Sequence, residues 1–574
     1  MNQRPSCGRS TALIARPPGG TALQRAWTLP LALAALAGIL RWLTRARLFY
    51  NWDSVQYALG SRHFDLLLHQ PHPPGSYDYV LLSRGLNFLT GDPHTSLLMM
   101  SAVSGGLAVI IAYLLAREWG GEGAGRWAAL TVAVAPLFWF YGSVGLPYSV
   151  EGLLAPLVAL YAWRLWRGSH TCADALGLAA SCGLAGGFRP TALPFLFPIW
   201  ALGIATLARR HPARAAASLG LLAALTVGWL IPCLASAGGL RSYLALNASM
   251  SHLLGDTAVW THGWPALREA ATTHLLTFQA SVLPGVGLLL LGLLLRRLAA
   301  SSASPKPFRT PALTHHLSAS DRAHASSAGP ATSSQPLFPR AAILFVALWM
   351  LPAFLFYLLA HFNSPGYSLT YMTGLVALLA VGQARIFGEM RRAATVFAQA
   401  ALVALLATAF WHGLPGIHPA RWGQRTLAKT EIDHHDRYWF AFRDYLRARF
   451  PSREVLILVG PSSTDGLRVV QALLPERAAR IYQCIGTDPS QLPPEIKRLP
   501  WLRFLSPEEV RASQVPVLGV ARTQADRAYH ATVLGLAPAR LRWVELGGGF
   551  QAVVISPGRG AQRLPSAGNR TAPA

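Results

Sequence analysis

TSLLMMSAVSGGLAVIIAYLLA, residues 95–116, contains no Asp, Glu, Lys or Arg. A helix needs roughly 20 predominantly apolar residues to cross the hydrocarbon layer of a bilayer. Such a helix closes its own backbone hydrogen bonds, which lipid cannot do for it. Working outward, apolar stretches too long for a globular core recur from Leu29 to Trp411. The chain of 574 residues is 52% hydrophobic and 13% charged, against about 25% charged in ordinary soluble domains. These features predict a polytopic α-helical membrane protein with about eleven spanning helices. The spans fall near 26–43, 95–116, 127–143, 148–166, 173–188, 191–208, 215–236, 276–296, 341–360, 367–384 and 393–411.

The formal net charge is +25, and Lys occurs only at Lys306, Lys429 and Lys497. A basic balance can signal nucleic-acid binding. Here the arginines sit in short loops between apolar segments, so membrane topology explains them and no nucleic-acid partner is expected. Arg4, Arg9, Arg16 and Arg25 precede the first span. Arg117, Arg126, Arg164, Arg167, Arg209, Arg210, Arg214, Arg296, Arg297, Arg385, Arg391 and Arg392 then share one side if the N-terminus is cytoplasmic. The opposite loops, 144–147 and 361–366, contain no Lys or Arg. Arg45 and Arg47 lie outside and count against this orientation. Tyr79–Leu89 is a rival span, but it is short and holds Arg84 and Asn87; counting it would invert every later loop. It is read as an interfacial helix.

Residues 1–25 form a polar cytoplasmic tail before an uncleaved anchor. Residues 299–339, rich in Ser, Ala, Pro and His, read as a disordered cytoplasmic linker. An odd span count places residues 412–560 outside. There DHHDRYWFAFRDYLRARF (433–450) reads as an amphipathic helix with an acidic start. VLILVG (455–460), VPVLGVA (515–521) and FQAVVIS (550–556) read as strands of a small extracytoplasmic α/β domain. Residues 561–574 read as a disordered tail. Cys7, Cys172, Cys182, Cys233 and Cys484 show neither metal spacing nor a disulfide framework.

Chemistry concentrates in the first outer loop, 44–94. NWDSVQYALGSRHFD (51–65) places Asp53 just after the first span, and LLLHQPHPPGSYDYV (66–80) follows. In the second stretch His69 and His72 precede a Pro73-Pro74-Gly75 turn, whose prolines fix backbone angles and whose glycine permits a sharp reversal. Other unusual polar residues belong to the same face. Glu151 lies at the outer end of the fourth span in PYSVEG (147–152); ionisable residues at membrane depth are costly and are functional candidates by default. Arg189 lies in the short turn GGFRPT (186–191), and His361, Asn363 and Tyr367 in HFNSPGY (361–367).

At this point the chain resembles a family. The long first outer loop with an early Asp, the PHPPG turn and the GFRP turn are similar to the GT-C superfamily of membrane glycosyltransferases. The likeness is to family 39, the protein O-mannosyltransferase-like and aminoarabinose-transferase-like enzymes, and covers roughly residues 26–411. GLRVVQALLPE (466–476) adds a weaker similarity. The resemblance implies an inverting transfer of a sugar from a polyprenyl-phosphate carrier to a protein, lipid or glycan acceptor at the extracytoplasmic face of a bacterial inner membrane, with no cofactor. It implies that Asp53 is the general base. Arg189, with Arg62, His69 or His72, would stabilise the leaving phosphate. Glu151, His361 and Tyr367 are the further substrate-binding candidates. The family's adjacent acidic pair is absent, since Ser54 follows Asp53. A second carboxylate is therefore open among Glu151, Asp65 and Asp78.

Bland readings stand beside these. Asp53 could cap a helix. Arg189 could snorkel to the interface. Glu151 could bond neighbouring helices, and Tyr367 could sit in an aromatic belt. His63, His69, His72 and His94 match no standard metal spacing, and no metal is expected. The DHHD run reads as a helix start rather than a ligand cluster. Two other functions compete: a transporter or lipid flippase, which would need polar residues at mid-membrane depth, and a non-catalytic assembly protein acting through its outer domain.

Overall fold

The computed structural model describes residues 20–255, 258–302, 336–361, 364–413, 426–450, 455–459, 481–485, 502–521, 524–537, 539, 541–547 and 550–555. Most of the expected N-terminal tail and of the linker, Asn363, the 466–476 segment and the C-terminal tail lie outside these residues.

The protein is a polytopic helical membrane protein with a small C-terminal sheet domain. Its helices are α1 (Gly20–Leu43), α2 (Trp52–Arg62), α3 (Tyr77–Thr90), α4 (Pro93–Val134), α5 (Pro136–Gly142), α6 (Tyr148–Trp166), α7 (Cys172–Phe188), α8 (Leu193–Arg210) and α9 (Pro212–Ser236). They continue with α10 (Leu240–Gly255), α11 (Val259–His262), α12 (Trp264–Gln279), α13 (Leu283–Ser302), α14 (Arg340–Leu359), α15 (Leu369–Gly388), α16 (Arg392–His412) and α17 (Lys429–Arg449). Among the described residues six helices are long and apolar enough to cross a membrane, or seven if a pair bent by 59° is one span. Every expected span overlies a helix, yet length and composition alone do not reach eleven: α4 counts once although the expected spans 95–116 and 127–143 both begin in it, α6 is not among the counted helices, and α1 and α7 contribute only the short apolar runs Trp27–Leu43 and Cys172–Phe188.

Two boundaries differ from expectation for local reasons. The expected loop between residues 116 and 127 is helical except at Gly121, whose φ of 78° reverses the chain within the 42 residues of α4. That left-handed backbone costs glycine nothing and other residues more. The expected span 276–296 straddles a break: α12 ends at Gln279, and α13 starts at Leu283 after the 59° bend. Tyr79–Leu89 does lie in a helix, α3, which buries Tyr79, Val80 and Ser83 and leaves Phe88 and Leu89 exposed.

The core runs along α4, which packs against α1, α6 and α15. Buried Trp127, Tyr113, Trp349 and Tyr371 fill it. The C-terminal sheet has the order β3-β2-β1-β4-β6-β5, with β1 (Val455–Val459), β2 (Ile481–Ile485), β3 (Leu502–Phe504) and β4 (Val517–Ala521) parallel. β6 (Phe550–Ile555) pairs antiparallel with β4 and with β5 (Val544–Gly547). The three expected strands coincide with β1, β4 and β6. The other three have three to five residues each, too short to carry a periodic signal. The helix expected over 433–450 begins earlier, at Lys429, so Glu431 occupies its first turn and the DHHD run follows.

Candidate active site

Asp53 sits in the first turn of α2, but it does not cap it. Asn51 is the cap: Ser54 N donates to Asn51 Oδ1 at 3.0 Å, and Asn51 N donates to Ser54 Oγ at 3.0 Å. This reciprocal pair satisfies two donors of the helix start, and so the carboxylate of Asp53 is not consumed by it. The side chain is 34% exposed, and His72 Nδ1 lies 3.5 Å from its Oδ1.

Gln56, one turn further along α2, holds the same imidazole. Its Oε1 is 2.7 Å from His72 Nδ1 and accepts from His72 N at 3.2 Å. Residues three apart on a helix share a face, so Asp53 and Gln56 together grip the loop that folds over them. With Nδ1 donating to this pair, neutral His72 presents Nε2 as an acceptor, and the cation presents it as a donor.

The loop itself is built. Asp65 and Gln70 exchange backbone hydrogen bonds at 2.9 and 2.8 Å. Asp65 Oδ1 accepts from Leu67 N and Leu68 N at 2.8 and 3.1 Å. Asp65 thus shapes this turn through Oδ1. His69 is buried, with a φ of 52°. Gly75 has a φ of 83°, and a Cβ there would meet Leu66 at 2.8 Å. From outside the loop, Tyr243 donates to the Pro74 carbonyl at 3.0 Å and Ser236 Oγ accepts from Leu66 N at 2.9 Å.

The second half of the site comes from helix ends. Arg189 terminates α7 in an extended conformation. Its guanidinium pairs with Glu151, in the first turn of α6, and both side chains are largely buried. Thr370, at the start of α15, donates to the other oxygen of Glu151. Arg189 lies 4.5 Å from the ring of Tyr367 and 5.1 Å from that of Tyr148. Tyr357, at the end of α14, stacks on Tyr367 at 4.8 Å. His361 is buried 5.9 Å from the same ring. A cation flanked by rings gains from each quadrupole, so the guanidinium is held in position.

The two halves are joined through the rings of Tyr57 and Tyr79. Tyr57, buried on α2, lies 5.9 Å from the ring of His72 and 4.9 Å from that of Tyr79, which packs on Phe188 beside Arg189, and burial pushes its phenol well above the usual range. Asp78, in the first turn of α3, is half-buried; burial pushes its carboxyl up to about 6. Its Oδ2 occupies the place where a Cβ on Gly187 would go, 1.8 Å away, which explains a glycine two residues before Arg189.

Of the residues expected from sequence, Asp53 and His72 are in contact, as are Arg189, Glu151, Tyr367 and His361. His69 lies in the same loop. Arg62 is not brought in. It is exposed at the far end of α2, nine residues and about 13 Å along the helix from Asp53. The structure adds Gln56, Tyr148, Tyr357 and Thr370. Gln56 and Tyr148 had a signal, each three residues from a named carboxylate, whereas Tyr357 and Thr370 reach Arg189 and Glu151 only through tertiary packing. Among the described residues no three His, Cys, Asp or Glu side chains gather as a metal site.

Comparison with known proteins adds the following. Residues 72–232 match the family described as dolichyl-phosphate-mannose-protein mannosyltransferase. No curated protein matches the chain. Among solved structures, ArnT from Cupriavidus metallidurans bound to undecaprenyl phosphate is similar at 13% identity and a TM-score of 0.49, over 93% of this chain and 98% of that one. The apo oligosaccharyltransferase of Archaeoglobus fulgidus is similar at 13% identity and a TM-score of 0.39, over 81% and 65%. The mycobacterial arabinofuranosyltransferase AftD is similar at 15% identity and a TM-score of 0.40, over 91% and 37%. At these scores the structural likeness by itself carries no argument. The matched stretch runs from His72 through the Glu151–Arg189 pair into α9, so it takes in most of the PHPPG turn and the whole of the GFRP turn on which the resemblance to this family was drawn.

Proposed function

We propose that the protein transfers a sugar from a polyprenyl-phosphate carrier to an acceptor hydroxyl at the extracytoplasmic face of the membrane. Asp53 accepts the hydroxyl proton as the acceptor oxygen bonds to the anomeric carbon. The bond from that carbon to the carrier phosphate breaks, and the phosphate leaves with the electron pair. Attack from the face opposite the phosphate inverts the anomeric centre. A positioned base contributes typically 10²–10⁴-fold. The match of residues 72–232 to the dolichyl-phosphate-mannose-protein mannosyltransferase family supports this donor class.

The observation that carries this reading is the row of contacts between a partly exposed carboxylate and a fixed guanidinium: Asp53 meets His72, the His72 ring lies 5.9 Å from that of Tyr57, Tyr57 packs on Tyr79, and Tyr79 on Phe188, the neighbour of Arg189. Charge develops on the phosphate oxygens as the carrier leaves. Preorganised donors are worth most at such a place. Arg189 is clamped by Glu151 and two rings, so it needs no reorganisation to offer its other N–H groups. His72 stands beside Asp53 and contributes Nε2. Glu151 serves as the counter-charge that holds Arg189.

The test is sugar transfer by the purified protein in nanodiscs, using a panel of polyprenyl-phosphate sugars. Asp53→Asn keeps the shape and removes the base. Transfer is expected to fall by at least about a hundredfold with carrier binding retained. Equal transfer by variant and wild type would remove Asp53 from the chemistry. Carrier movement across the bilayer without sugar consumption would favour a flippase.

A further inference from the structure

The C-terminal domain is joined to the membrane region at the residues that lead into the helix of Asp53. Glu431, in the first turn of α17, accepts from the hydroxyl of Tyr50, and its other oxygen accepts from Thr426 N and Leu427 N at 2.5 and 3.0 Å. One helical turn on, Asp436 Oδ2 accepts from the backbone N–H of Arg47 at 2.7 Å. Between them the His435 ring lies 4.9 Å from the ring of Tyr50, which meets Phe140 of α5 at 5.3 Å on its other side. The chain then runs directly into Asn51, the cap of α2, and Asp53.

Apolar packing continues the grip along α2. Val55 is buried in one cluster with Trp439, Phe442 and Leu446 of α17 and with residues of β1, β4 and β6, and Trp52 and Leu59 pack against that cluster. Residues 52, 55 and 59 recur at helical spacing and form one stripe. Asp53, Gln56 and Tyr57 fall on the adjoining face. One side of α2 therefore completes the core of the domain, and the next side carries the base. Separating the two would expose Val55, Trp439 and Phe442 to water and leave half-buried Glu431 and buried Asp436 without these partners, which is costly for both kinds of group.

We infer that the C-terminal domain is a brace that positions Asp53, acting through Glu431 and Tyr50 and through Asp436 and the Arg47 amide. Its bearing on catalysis rests on the function proposed above. Tyr50, Glu431 and Asp436 are positioning residues: they set the entry angle of α2 and touch no reacting atom.

Hydrogen exchange of α2 in the full-length protein in nanodiscs tests this, with transfer kinetics alongside. Asp436→Ala and, independently, Tyr50→Phe are expected to speed exchange over residues 54–62 by about tenfold, the size expected from loss of one buried hydrogen bond, while α4 and α15 stay unchanged. Asp436→Asn, which still offers an oxygen to Arg47 N, is expected to restore slow exchange. In the variants that loosen α2, kcat should fall with the donor KM unchanged. Exchange in α2 equal to wild type in both Asp436→Ala and Tyr50→Phe overturns the brace. Exchange that speeds everywhere, with no rescue by Asp436→Asn, also overturns it, because that is general destabilisation. If α2 loosens as expected while Asp53→Asn transfers normally, the brace stands and the assignment of Asp53 falls.

Discussion

Asp53 shows how one residue's role depends on its neighbours. An Asp at a helix start is read first as a cap, but two positions earlier Asn51 already fills that place and pairs with Ser54. Arg189 shows the converse. Its guanidinium is engaged by Glu151, Tyr367 and Tyr148, so it is no snorkelling anchor; removing either member of such a buried pair costs about 3–5 kcal/mol. Asp78 makes a prediction at this scale. Its carboxyl rises from 3.8 to about 6 because burial disfavours its charge. The folded protein therefore holds this proton more tightly than the unfolded chain. The contribution of Asp78 to stability is present below 3.8 and is lost as pH climbs through the window to about 6. Asp78→Asn, which cannot ionise, should remove that loss. Thermal midpoints in detergent across the window should diverge in favour of the variant as pH rises, and parallel curves would count against the assignment.

At the scale of elements, the break between α4 and α5 is the informative one. Pro136 has no N–H, so the carbonyl of Val132 loses its helical partner. Leu137 N turns instead to the carbonyl of Ala280 at 3.3 Å, which frees that of Ala133. Fully buried Arg41 of α1 supplies both: Nη2 donates to Val132 O at 3.0 Å and Nη1 to Ala133 O at 3.2 Å. Gly105 and Gly142 leave it room, since a Cβ at either would lie within 2.6 Å of the Arg41 side chain. Arg41 is a residue that charge counting along the loops passes over, because it lies inside an expected span. Arg41→Met keeps length and apolar contact but leaves two buried carbonyls unpaired, at about 1–3 kcal/mol each. A lower thermal midpoint with donor affinity retained is expected, and an unchanged midpoint would show that water or another group already serves those carbonyls.

For the whole molecule, we propose from the arginine asymmetry that the N-terminus is cytoplasmic. Cys172, at the exposed start of α7, should then face the cytoplasm, while Cys182 and Cys233 are buried. In a variant with Cys7→Ser and Cys484→Ser, a membrane-impermeant maleimide should label Cys172 only after the membrane is opened. Labelling of intact cells would invert the topology and place the site of Asp53 inside.

Membrane insertion, the run of helices, the segment that carries Asp53 and His72, and strands β1, β4 and β6 were legible from the amino-acid order alone. Each rests on local information: apolar run length, loop charge, turn-forming Pro and Gly, and short apolar strands. The pairing of Glu151 with Arg189, the ring of Tyr367 beneath that guanidinium, the exclusion of Arg62 and the grip of Glu431 on Tyr50 were decided by tertiary structure. These contacts join residues 38, 178 or 381 positions apart, and pattern along a chain says nothing about which distant helix ends will meet. The gathering of polar residues at one end of the bundle could be anticipated because alternating helices return their ends to the same face. Which of those residues touch depended on the packing of α6, α7, α14 and α15 around buried side chains that no periodicity specifies.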